Sequence, residues 1–86
     1  MSDGRAGAGA GAGPTLVRFL ELCEPLDALD KDAARAVLRE LQAVGGDLKA
    51  LRSALTGVEH GPELWFELVA LGRDEALARA VAALQA

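Results

Sequence analysis

Cys23 and His60 are the one cysteine and the one histidine of this 86-residue chain, the residue types from which a nucleophile and its base are assembled. Nothing nearby in sequence supplies a third group to orient the imidazole, or donors for an oxyanion. Cys23 also falls on an apolar stripe with Leu16, Phe19 and Leu20, where a small core side chain is the simpler reading. A metal site needs further His or Cys at ligand spacing, and the chain has none. Asp27, Asp30 and Asp32 lack the later ligands of a calcium loop and suit helix starts better. The Ala-Gly run of residues 6–13 lacks the Lys and Ser/Thr with which a glycine loop holds phosphate. No catalytic residue, metal or cofactor is therefore expected in this chain.

Non-covalent recognition remains, and one stretch suits it: LRSALTGVEHGPEL, Leu51 to Leu64. A helix is expected to stop at Thr56-Gly57, a short loop to cross over, and Pro62 to open the next helix. Gly61 would leave its backbone uncovered, Pro62 would offer a rigid apolar plate, and Leu64 would lie one turn inside. An unstacked base can lie on such a surface while its edge bonds main-chain groups. Arg52, on the preceding helix, carries a planar fork that can reach the same corner. The alternative is a tight helix hairpin with a solvated Arg52 and His60 as an ordinary loop residue. Trp65, beside the corner, is read as a core plug or a stacking platform. Lys31, Arg35 and Arg39 are read as a basic strip or simply the solvated side of a helix.

The elements that must position this corner emerge from periodicity. Residues 1–14, with their Ala-Gly alternation, read as a flexible tail or linker, and residues 15–86 as one helical domain. Thr15 is expected to cap a helix with the stripe Leu16, Phe19, Leu20 and Cys23, ended by Pro25. Asp30 or Asp32 opens a second, with Ala34, Val37, Leu38, Leu41 and Val44 inward and Gly45-Gly46 at its end. Asp47 caps a third with Leu48, Leu51 and Leu55. A fourth carries Leu64, Trp65, Leu68 and Leu71 up to Gly72, and a fifth begins at Asp74 with the stripe Leu77, Val81 and Leu84. No strand-like alternation appears, so the class is all-α, a small bundle of about five short helices. Roughly 70 foldable residues bury only about 60% of the unfolded chain's surface, a thin margin. A single cysteine fits a reduced, cytoplasmic setting, and no apolar run approaches the ~18 residues of a membrane span. The net charge of −4 argues against DNA and against strong electrostatic capture of any nucleic acid.

The corner and the residues beyond it also resemble a known family. Leu51-Arg52, Ala54-Leu55-Thr56-Gly57, Pro62-Glu63-Leu64 and Leu71-Gly72-Arg73-Asp74-Glu75, with Leu77 and Arg79, are similar to the C-terminal anticodon-binding subdomain of bacterial-type glutamyl-tRNA synthetase, a class I aminoacyl-tRNA synthetase. There an LR-x-ALTG helix end is followed by a short loop, Pro-x-Leu and a further leucine-rich helix. The resemblance runs without a gap from Leu51 to the end and thins upstream. It implies that the partner is the anticodon loop of tRNA for glutamate, contacted by Arg52, Gly61, Pro62 and Leu64. Two positions depart from the family pattern. Gly61 stands where Thr or Ser is usual, so only its backbone could serve, and Ala50 stands where Pro commonly precedes the Leu-Arg pair. The catalytic domain, whose HIGH-like and KMSKS-like motifs work with ATP and magnesium, has no counterpart here, nor has the preceding anticodon subdomain. The expected function is therefore an anticodon-binding module, a fragment or a free-standing derivative, weak on tRNA by itself. The rival is a helical adaptor derived from that domain that binds a protein partner through its helix faces.

Overall fold

The computed structural model describes residues 12–58 and 60–85. Within them the chain forms five helices: α1 (Ala12–Cys23), α2 (Lys31–Ala43), α3 (Leu48–Thr56), α4 (Leu64–Leu71) and α5 (Arg73–Gln85). The expected all-α bundle is what the chain forms. Of the expected N-terminal tail, residues 1–11 lie outside the described residues.

Local chemistry sets most helix ends. The Asp30 side chain accepts from the Ala33 N–H at 2.8 Å, and Asp47 does the same for Ala50 at 3.0 Å, so both act as N-caps. At the end of α2, Gly45 adopts φ 75°, its N–H reaches Gln42 O, and Gly46 N–H reaches Leu41 O at 2.7 Å. This double bond pattern satisfies two carbonyls that would otherwise lack partners. Gly57, at φ 80°, closes α3 through its N–H to Ser53 O.

Four sequence expectations need correction. First, α1 opens at Ala12, ahead of Thr15. Pro14 is tolerated because it sits in a first turn, where the missing N–H would have had no helical partner. Thr15 is then buried inside the helix, and its hydroxyl accepts from the Asp47 N–H at 2.9 Å, joining α1 to the start of α3. Second, α4 begins at Leu64 rather than Pro62, since Glu63 keeps an extended backbone (φ −56°, ψ 144°) and makes no side-chain cap. Third, the inward face of α5 is Ala76 and Ala80, both fully buried, while Val81 and Leu84 are 40% and 38% exposed. Small side chains let α5 lie close against α1, α3 and α4, and that close approach rotates the larger residues outward. Val44, expected inward, is likewise exposed, because the chain has already left α2 there.

The core is one cluster fed by all five helices, with Phe19, Leu41, Leu51, Leu55 and Leu68 as its largest sealed side chains. Two arginines close the frame at its ends. Arg73 donates to Glu24 O, just past α1, and Arg79 donates to Leu55 O in the last turn of α3, each at 2.8 Å. Both bonds supply donors to carbonyls that a terminating helix leaves open.

Candidate nucleic-acid interface

The corner between α3 and α4 is built on Arg52. Leu51 and Leu55 anchor α3 in the core, which leaves the Arg52 side chain on the flank that faces the incoming chain. Its Nη2 donates to Pro62 O at 2.5 Å, and its Nη1 stands 4.0 Å from Glu67 Oε2 on α4. The guanidinium is thus a strut across the corner, with its side chain 14% exposed. Nη1 is sealed from solvent and makes no hydrogen bond among the described residues, so one edge of the fork keeps unused donor capacity.

Glycine at 61 has a steric reason. A Cβ there would meet Arg52 Nη1 and Glu67 Oε2, each at 3.3 Å, and would crowd the ion pair. Gly61 and Pro62 are both exposed, so the backbone and the proline ring are presented to solvent beside the strut. On the other side, the Thr56 hydroxyl donates to Arg52 O (2.8 Å) and accepts from Val58 N–H (3.2 Å), fixing the exit from α3. His60 is exposed. Three of the four residues implied for anticodon contact, Arg52, Gly61 and Pro62, therefore meet at one place. Leu64 does not join them on the surface: it is 8% exposed and belongs to the core, turning only an edge outward.

Glu67, the partner of Arg52, carries no signal in the sequence. It lies one turn beyond Glu63 among acids with no distinguishing spacing, so only the tertiary arrangement that brings α4 within reach of Arg52 identifies it. With Glu67 beside Arg52, and Glu63 close by, the corner itself carries little net positive charge.

The residues that follow Pro62 in the chain, Glu63, Leu64 and Trp65, bound a depression of about 360 Å³ together with Arg35, Leu38, Arg39 and Gln42 of α2 and Leu48 of α3. Trp65 is half-buried at its wall, so it is not the sealed plug of the core; Phe19 is. The indole Nε1 donates to Glu63 Oε1 at 2.9 Å, Lys31 Nζ lies 5.2 Å from the ring centroid, and Phe66 meets the ring edge-on at 5.9 Å.

Nucleophilic chemistry finds no support. Cys23 is fully buried, and burial pushes its thiol up from 9.0 to about 11, a rise that the nearby Arg73 charge opposes only in part. A protonated, sealed thiol is a core side chain. Among the described residues, no group of three His, Cys, Asp or Glu is placed to hold a metal ion, and no helix is long and apolar enough to cross a membrane.

Compared with known proteins, the chain is similar over 29 residues, 34% of its length, to glutamate–tRNA ligase 1 of Rhodospirillum rubrum, with 69% identity. That stretch spans 6% of the ligase. No protein-family model matches the chain, and no solved structure matches it.

Proposed function

We propose that this chain is a tRNA anticodon-binding module of glutamyl-tRNA synthetase type, acting as a segment of such an enzyme or as a derivative without the catalytic core. The observation that carries the reading is the corner where Arg52, Gly61 and Pro62 meet, and the short, high-identity likeness to a glutamate–tRNA ligase supports it. A base of the anticodon loop stacks on Pro62 and Gly61, and Arg52, whose Nη1 is sealed beside Glu67 in the free chain, turns from that carboxylate on binding to donate to the base's acceptors. Leu64 contributes from below, as a core residue that turns only an edge outward. The ligation itself, with ATP and magnesium, is a property of the whole synthetase in this reading; the 86-residue chain supplies recognition.

A second reading is favoured by one observation. Leu77, Val81 and their neighbours on α5 line an open, mainly apolar hollow, and Leu84 is also exposed. An adaptor that docks a protein partner would use such a face. Fluorescence anisotropy of labelled tRNA for glutamate at low salt separates the two. Anticodon reading predicts that Arg52→Ala and an anticodon-swapped tRNA each weaken binding, by about tenfold on the scale of one planar base contact. Absence of binding at ~100 μM protein, the scale of nonspecific affinities, would overturn the anticodon reading and leave the adaptor.

A further inference from the structure

The corner poses an electrostatic problem. Its guanidinium is neutralised by Glu67, the chain carries a net charge of −4, and a nucleic-acid strand is a polyanion. Phosphate contacts must come from another surface within reach. Among the described residues, Arg18, Arg52, Arg73 and Arg79 are all engaged in ion pairs. Arg35 and Arg39 are not: both are exposed, and neither makes an ion pair or hydrogen bond among the described residues. They stand one turn apart on α2, on the same side as Lys31, and they wall the depression that begins where Pro62 ends.

We infer that this depression is a single-stranded RNA track continuing from the corner, in which Trp65 stacks one base and Arg35 and Arg39 hold the adjoining phosphates. This rests on the anticodon reading above. Three features point the same way. The wall combines two unpaired guanidinium groups with a half-exposed indole, the cation-and-aromatic pairing that single strands use. Lys31 already occupies a position over the indole at 5.2 Å, so the ring has a face that accepts a cation and, once the flexible stem swings aside, a base. Proximity is the third: Leu48 lies one helical turn before Arg52 on α3, and Glu63 directly follows Pro62, so the depression adjoins the corner along both chain segments. The carboxylate in the wall, Glu63, is engaged by the indole N–H at 2.9 Å. It limits the strength of the track, which makes it a positioning surface and not a high-affinity site.

The test uses the full chain and a labelled anticodon stem-loop of tRNA for glutamate, followed by anisotropy across a salt series. Arg35→Ala/Arg39→Ala is expected to weaken cognate and anticodon-swapped loops by the same factor. It should also make the slope of log Kobs against log salt shallower by about 1.4, the value for two single-strand phosphates. Arg52→Ala should instead act on the cognate loop alone. Emission of Trp65, the single tryptophan, should be quenched as the loop saturates the protein. If the double variant keeps wild-type affinity and slope while Arg52→Ala weakens the cognate loop, the corner stands and the track is wrong. A shallower slope with unquenched Trp65 would overturn the stacking. Loss of all wild-type binding would overturn the anticodon reading and the track with it.

Discussion

At the scale of single residues, the structure separates groups that look alike in sequence. Arg52 and Arg35 are both arginines on amphipathic helices, yet one is a strut to Pro62 and the other is unpaired. The difference lies in what packs against each helix. Cys23 shows the same dependence on surroundings. Its thiol keeps its proton in the folded chain up to about pH 11, whereas the unfolded chain gives it up near pH 9. Between these values the unfolded state binds fewer protons than the native state. Stability is therefore complete below pH 9 and falls as pH rises toward 11, by at most about 1.4 kcal/mol per pH unit for one group. Urea midpoints for wild type and Cys23→Val, taken at pH 8 and pH 10.5, check this: the drop should be smaller in the variant.

At the scale of elements, α5 is the instructive case. Its large apolar residues, Leu77, Val81 and Leu84, suggest one inward face, and the helix instead buries Ala76 and Ala80. Size counts for less than fit when the neighbouring helices leave room only for methyl groups. Ala80→Leu is thus expected to destabilise by about 1–3 kcal/mol through overpacking. Val81→Ala should cost under about 1 kcal/mol, since Val81 is 40% exposed. Denaturant melts of the two variants decide it, and the reverse ranking would restore the face expected from periodicity. The helix ends, by contrast, follow local chemistry closely. Asp30, Asp47, Gly45 and Gly57 do at their positions what their types suggest, because a cap needs only neighbours within a few residues.

At the scale of the whole molecule, a thin core is reinforced by long-range polar ties. Arg79 bonds Leu55 O and pairs with Glu75, linking α5 to α3, and Thr15 links α1 to α3. Arg79→Met should cost about 1 kcal/mol, because it leaves a partly buried carbonyl without its donor. Arg18→Met, which removes only an exposed i,i+3 pair with Glu21, should shift stability by no more than about 0.5 kcal/mol. Thermal unfolding of both variants checks the contrast. The same division governs what could be read from the residues in order. Helix class, helix count, the caps of α2 and α3 and the presence of a Gly-Pro corner were determined by the sequence itself, since each depends on chain neighbours and periodicity. The engagement of Arg52 with Pro62 and Glu67, the outward turn of Val81 and Leu84, and the placing of Trp65 beside Arg35 and Arg39 were decided only by tertiary structure. These arrangements depend on which helices meet and how closely, a balance of packing among elements far apart in the chain that no local pattern encodes.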